Sequence, residues 1–287
     1  MGSTEGLAEV RLRPQHIPGC VALSAEARWN QNADDWRTML ELGEGFGLAD
    51  PAGRLVATSL ALPYASGGFG WISMVLVTEA WRRKGLATRV MESAMAALAR
   101  EGLVAILDAT PAGREVYRLL GFEDTWGIER MQRIEASALP AAGGAAVRPM
   151  VDADWSEVLA LDRAVFAADR AALLADLRKR LPGAASVASS GGRISGFLLG
   201  RNGRIASQLG PCVAGDEQTA IALLAAGLPG LTGPVFLDVP GTHAALGAWL
   251  RDAGFTLQRP YTRMILKRKQ PFNRTERLFA IAGPELG

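Results

Sequence analysis

The 287-residue sequence predicts an α/β protein made of two tandem copies of one domain. Three observations carry that expectation. Apolar residues make up 49% of the chain and charged residues 21%, which suffices for a packed core and is far from a disordered composition. In the first half, short β-branched apolar runs alternate with stretches of helical spacing, the order that sets strands side by side and parallel. The same order of elements then returns after a segment of low side-chain bulk near mid-chain.

Residues 10–14 (Val-Arg-Leu-Arg-Pro) read as a short strand, followed by a helical stretch carrying Trp and acidic residues. A hairpin comes next, because Asp50-Pro51-Ala52-Gly53 is a turn sequence between two apolar runs. Residues 70–77 (Gly-Trp-Ile-Ser-Met-Val-Leu-Val) are short, apolar and β-branched, as a buried strand requires. A helix is expected from about Lys84 to Arg100, with Leu86, Val90, Met91, Ala94, Ala97 and Leu98 on one face. Residues 104–108 read as the next strand and residues 113–120 as a helix closed by Gly121, a good left-handed cap. The Ala-, Gly- and Pro-rich stretch 139–150 reads as a linker. Beyond it come a strand opening at Val147, a helical stretch, a hairpin around Gly191-Gly192 and a helix closed by Gly254-Phe255. Val10 and Val147 are 137 residues apart, and Gly121 and Gly254 are 133 apart, so nearly equal offsets at both ends argue for a duplication.

A formal net charge of +2 excludes a basic nucleic-acid-binding tail or an acidic disordered region as the dominant feature. Cys20 and Cys212 are far apart with no metal-ligand spacing around them, so two thiols in a reducing compartment are expected, and no metal site. Residues 1–10 lack the apolar run of a secretory signal, the sixth position lacks the Ser or Thr of a myristoylation site, and no stretch approaches the ~18 apolar residues of a membrane span. A cytoplasmic protein without a nucleic-acid or membrane partner is expected; oligomeric state is not legible.

The chemistry concentrates at residues 77–88. Arg82, Arg83 and Lys84 precede Gly85, which opens a helix at Leu86, Ala87 and Thr88. Unpaired backbone N–H groups, the positive end of the helix dipole and side-chain charge therefore converge, an arrangement suited to a pyrophosphate. Gly85 would let the backbone approach phosphate oxygens without a Cβ in the way. The spacing Arg-x-x-Gly-x-Ala is neither a nucleotide-triphosphatase loop nor a dinucleotide fingerprint.

In this context the sequence resembles the GNAT family, the Gcn5-related N-acetyltransferases, in its bacterial tandem subgroup. The first matching feature is the strand 71–77 with the loop 82–87. The second is the helix 112–122, with Tyr117 five residues before Phe122 in Tyr-x-x-x-Gly-Phe. Thr110 stands where the family usually has Asn, and it can still cap a helix. The resemblance implies a mixed central sheet flanked by helices in each domain, with a catalytic domain over residues 8–138, a linker at 139–146 and a degenerate GNAT-like domain over 147–287. It implies acetyl-CoA as acyl donor, held by the backbone of Val75, Leu76 and Val77 and by Arg82, Arg83, Lys84, Gly85, Leu86, Ala87 and Thr88. It implies transfer to a primary amine, of a small molecule in our reading, with Tyr117 donating a proton to the departing sulfur.

The general base stays unassigned, since Ser73 is a poor base and Asp108 and Glu115 read as caps or surface charges. Acceptor specificity in the family comes from the first helices and their loop, where Trp29, Asn30 and Gln31 stand before Asp34, Asp35 and Trp36. They form either a wall for a polar or cationic acceptor or a helix cap with both rings in the core. In the second half, residues 204–218 lack the cation cluster and end in Asp216-Glu217, Leu250 stands at the tyrosine's place, and His243 reads as a cap. The rival to an enzyme is an acyl-CoA-binding sensor that transfers nothing.

Overall fold

A computed structural model describes residues 6–143 and 145–287; the residues up to Glu5, read above for targeting signals, and Gly144 of the linker lie outside the described residues. The chain packs as two units. The first runs to Leu107 and takes in residues 203–205 and Leu286; the second holds nearly all of the rest.

In the first unit, β1 (Ala8–Arg11) pairs antiparallel with β2 (Glu44–Ala49) after helices α1 (Ile17–Glu26) and α2 (Ala33–Leu42). Asn32 accepts from the Asp35 N–H while Asp35 accepts from the Asn32 N–H, a reciprocal box that starts α2. The predicted hairpin joins β2 to β3 (Leu55–Tyr64), and the Asp50 carboxylate accepts from the N–H groups of Ala52 and Arg54 to set the turn. β4 (Phe69–Val77) pairs antiparallel with β3 and parallel with β5 (Val104–Ala109). Between them lies α3 (Leu86–Arg100), whose buried residues are Leu86, Val90, Met91, Ala94, Ala97 and Leu98, the face predicted from spacing. Each larger side chain of that face contributes about 1.5–3 kcal/mol by burial, and Ser59 Oγ donates to the Val90 carbonyl at 2.6 Å to fix the helix on β3.

The second unit opens with α4 (Pro111–Leu119) and β6 (Phe122–Arg133), followed by β7 (Ala146–Pro149), α5 (Trp155–Phe166), α6 (Ala171–Arg180), β8 (Ser186–Ser190) and β9 (Arg193–Arg201). Then come β10 (Ser207–Ala214), α7 (Glu217–Gly227), β11 (Val235–Pro240), α8 (Ala244–Asp252), β12 (Thr256–Leu266) and β13 (Leu278–Ala280). Its sheet runs β12-β6-β11-β10-β9-β8-β7. The predicted parallel pair recurs as β10 with β11, and Gly121 and Gly254 both hold the left-handed conformation expected of helix caps, at φ +90° and +84°.

Division by packing therefore differs from division along the chain. β6, expected with the first copy, lies between β11 and β12 of the second and pairs antiparallel with both. Two buried ion pairs hold the region together. Arg130 of β6 meets Asp238 of β11 through two hydrogen bonds of 2.7 Å, and Arg263 of β12 meets Asp108 at the end of β5 through two of 2.8 Å. Asp108 and Asp238 lie in the C-terminal halves of equivalent strands, and Arg130 and Arg263 each precede a methionine on equivalent strands, so the pairs are crossed copies of one interaction. Asp108 is thus a structural anion, as expected, but anchored by an arginine from the other half of the chain.

Candidate active site

β4 is not a regular strand. Its register against β3 slips between Thr58 and Leu60, so that Ser73 faces Leu60 while Leu76 faces Thr58. Met74 takes φ +52°, and its carbonyl accepts from Thr58 Oγ1 at 2.9 Å, the signature of a bulge. The parallel ladder with β5 spans Phe69↔Val104 to Trp71↔Ile106. Val75, Leu76 and Val77, the predicted cofactor strand, thus lie beyond both the bulge and that ladder. A strand edge released from pairing has N–H and C=O groups for the amides of an extended ligand.

The loop after β4 is set by three contacts. Glu26 of α1 accepts from Thr78 Oγ1 at 2.8 Å and from the Glu79 N–H at 2.5 Å, and the bond from Glu79 holds its carboxyl below the usual range. Arg82 Nε donates to the Val77 carbonyl at 3.1 Å, so part of this predicted phosphate ligand turns back to the strand end. Lys84 Nζ lies 4.7 Å from the Trp81 ring centre.

Arg83 and Gly85 are both left-handed, at φ +61° and +77°, and Gly85 is the N-cap of α3. No side chain caps this helix, and a Cβ at Gly85 would meet nothing within 4 Å. An uncapped helix start beside open space, directly after three cations in the sequence, is chemically suited to an anion.

Tyr117 lies on α4, in the second unit. Thr110 caps this helix, accepting from the Gly113 N–H at 3.2 Å, which lets it begin two residues earlier than predicted. The Tyr117 ring crosses the first turn so closely that a Cβ at Gly113 would lie 2.9 Å from Cε2. Tyr117 is half-buried, and burial pushes its phenol up to about 12. Its ring is 6.2 Å from that of Phe122.

The acceptor segment resolves toward a structural role for most of its groups. The Trp29 carbonyl accepts from Arg204 Nε and Nη2 at 3.0 and 2.8 Å, and Asn30 Oδ1 accepts from the Ile205 N–H at 3.0 Å. Trp36 is buried and donates to Ser24 Oγ at 3.0 Å. Gln31 is also buried, and its Oε1 has no hydrogen-bond partner among the described residues. Of the carboxylates weighed as base, Asp108 is committed to Arg263, and Glu115 is an exposed partner of Arg118 at 3.3 Å. The Ser73 hydroxyl is buried without a partner among the described residues.

The second half treats its equivalent junction differently. The parallel ladder of β10 with β11 also spans three pairs, Ser207↔Val235 to Leu209↔Leu237. Beyond it β13 pairs with β10 through Cys212↔Ala280 and Val213↔Leu278, and the Ile281 N–H donates to the Asp238 carbonyl at 2.9 Å. Asp216 caps α7, accepting from the Thr219 N–H at 2.7 Å, so a carboxylate holds the place an anionic ligand would take. His243 stands at the N-cap position of α8, as expected, but its side chain makes no cap bond. Its Nε2 sits 3.0 Å from the Leu278 carbonyl and 3.2 Å from that of Thr275, and its ring stacks 4.2 Å from Phe279, which pins the strand β13. Neither β13's placement nor this pin has a local sequence signal.

Among the described residues, no His, Cys, Asp and Glu group is placed to hold a metal, and no helix is long and apolar enough to cross a membrane.

Comparison with known proteins relates both halves of the chain to one family. Residues 17–122 match the Acetyltransferase (GNAT) family, and residues 158–280 match an Acetyltransferase (GNAT) domain. An uncharacterised N-acetyltransferase of Bacillus subtilis, YitH, is 23% identical over 279 residues, covering 97% of this chain and 98% of its own. A solved structure from Pyrococcus horikoshii, assigned as an acetyltransferase, superposes with a TM-score of 0.81 at 17% identity, over 100% of this chain and 98% of the other. A tandem GNAT protein from the clavulanic acid biosynthesis pathway superposes with a TM-score of 0.62 at 15% identity, over 90% of this chain and 98% of its own. One GNAT match in each half, with relatives that span nearly the whole length, establishes that this chain belongs to the GNAT family of acetyltransferases as a tandem member.

Proposed function

We propose that the chain is an acetyl-CoA-dependent N-acetyltransferase acting on a primary amine of a small molecule, with residues 8–138 as the catalytic repeat and 147–287 as a degenerate one. The observation that carries this reading is the uncapped start of α3, where left-handed Gly85 follows three cations directly after the bulged strand. The N–H groups of Gly85, Leu86, Ala87 and Thr88 would receive the pyrophosphate of the donor, with Arg82, Arg83 and Lys84 supplying charge. Val75, Leu76 and Val77 would hold its extended arm and polarise the carbonyl.

In the reaction the amine lone pair attacks the thioester carbonyl carbon, the C–N bond forms and the C–S bond breaks. The nitrogen loses its proton to water, and the sulfur leaves as a thiolate, the group to which Tyr117 would donate. A phenol pushed up to about 12 is a weaker acid than a thiol near 8.5, so full proton transfer from Tyr117 is uphill. Tyr117 therefore serves chiefly as a hydrogen-bond donor to the negative charge developing on sulfur, and burial keeps it protonated at any working pH. Two buried free thiols support a reducing, cytoplasmic setting.

The test is release of free thiol from acetyl-CoA with a panel of amines. Amine-dependent release, slowed in Tyr117→Phe, is expected. Cofactor binding with no transfer to any amine would overturn the enzymatic reading.

A further inference from the structure

α4 is held in an unusual way. None of its residues is buried, Leu119 is 89% exposed, and the helix presents little apolar surface with which to anchor itself. Apart from the half-buried Tyr117 ring beside Phe122, its attachment runs through one carboxylate. Arg114 and Arg118, one turn apart, both reach Asp124 of β6: Arg114 Nε donates to Oδ1 at 3.0 Å, and Nη2 of each arginine donates to Oδ2. Tyr117 lies between the two arginines in sequence.

The second repeat supplies an internal comparison. Moving 133 residues on, Gly121-Phe122 becomes Gly254-Phe255 and Arg118 becomes Arg251, but Tyr117 becomes Leu250, Arg114 becomes Gly247 and Asp124 becomes Leu257. The equivalent helix α8 is held by ordinary burial, through Leu246, Trp249 and Leu250. The repeat that lacks the tyrosine thus also lacks the clamp. A helix that has only to pack buries an apolar face. One that must offer a side chain to a ligand needs a support that leaves that face open.

We propose that Asp124 is a positioning residue which, by clamping Arg114 and Arg118, holds Tyr117 at the orientation needed to donate to the departing sulfur. The inference rests on the role given to Tyr117 above. Carboxylate–guanidinium forks suit this purpose, because two parallel hydrogen bonds fix angle as well as distance. Their bonds to Asp124, that from Arg114 foremost, hold its carboxyl at about 2, so the clamp stays charged across the working range.

A double-mutant cycle tests it, with Asp124→Ala, Tyr117→Phe and the double variant assayed for kcat and for KM of acetyl-CoA. Asp124→Ala is expected to lower kcat about 10- to 100-fold, the scale of a misplaced catalytic group, with KM changed less than about twofold. The double variant is expected to be no slower than Tyr117→Phe alone, since a residue acting only through Tyr117 has nothing left to position. Should Asp124→Ala fail to fold, Arg118→Ala takes its place in the cycle, because it removes one arm and leaves the Arg114 fork. Full additivity in the double variant, or a wild-type kcat in the single, would overturn the clamp while leaving Tyr117 its role. An unchanged kcat in Tyr117→Phe would overturn both.

Discussion

Asp238→Ala removes the carboxylate that faces Arg130 in the interior of the second unit. Asp238 is fully buried and Arg130 has only 5% of its side chain exposed. The carboxylate accepts two hydrogen bonds of 2.7 Å from the guanidinium and a third, of 2.8 Å, from Gln208 Nε2. The alanine variant leaves a buried cation without its anion. The flanking rings of Phe236 and Tyr261, 5.2 and 5.3 Å from the guanidinium carbon, are weak substitutes for an anion. Breaking a buried pair from one side costs about 3–5 kcal/mol. At a urea m-value of ~2–3 kcal/mol/M, the unfolding midpoint should fall by roughly 1–2.5 M. Tryptophan fluorescence through a urea titration reads this without screening the charges. Glu9→Ala is the control, because its pair with Arg89 leaves 41% and 69% of the two side chains exposed and should be worth under about 1 kcal/mol. Arg130→Met combined with Asp238→Leu should be less damaging than Asp238→Ala alone, since it leaves no charge behind. A midpoint shift for Asp238→Ala no larger than the control's, or a double variant as unstable as the sum of its singles, would refute the argument.

Three further outcomes are expected. Replacing Gly85 by Val forces a β-branched residue to φ +77°, at a cost of about 1–3 kcal/mol, and the thermal shift that coenzyme A gives the wild type should vanish; a retained shift would remove Gly85 from the cradle. Calorimetric titration with coenzyme A should give one site per chain, because β13 and Asp216 hold the second half's equivalent positions; two equal sites would contradict that reading. The Asp124 carboxyl is lowered to about 2, chiefly by its hydrogen bond from Arg114, against about 3.9 when unfolded. Its contribution is therefore fully present above about pH 4 and lost as pH falls through about 2. The stability gap between wild type and Asp124→Asn, read from urea midpoints, should narrow over that interval; a constant gap would argue against the clamp's charge.

Features written in local sequence were legible. The hairpin at Asp50–Gly53, the buried face of α3 and the glycine caps at 121 and 254 depend on turn chemistry and helical period, which act over a few residues. The helix start at Gly85 was legible for the same reason, since a left-handed glycine before an apolar-periodic run is a local signal. The acceptor segment was only half so: Asn32 and Asp35 gave a readable cap, whereas the use of Asn30 to hold Ile205 pairs residues 175 positions apart. The N-cap place of His243 was legible, but the use of its ring was not, because its partners, the carbonyls of Thr275 and Leu278, are 32 and 35 residues away.

The sequence by itself determined that the chain is a duplicated α/β protein, that one copy carries a cationic glycine loop and a tyrosine, and that the other lacks both. Tertiary structure alone decided that β6 runs between β11 and β12, that Asp108 and Asp238 are each neutralised by an arginine from the other half, and that β13 lies along β10 in the second half. The physical reason is the range of the forces involved. Helix starts and turns are stabilised by hydrogen bonds among neighbours in the chain, so residue order encodes them. Strand pairing and buried charge pairs are chosen by which distant segments can satisfy each other's backbone and charge together, and one chain offers two nearly equivalent partners for each.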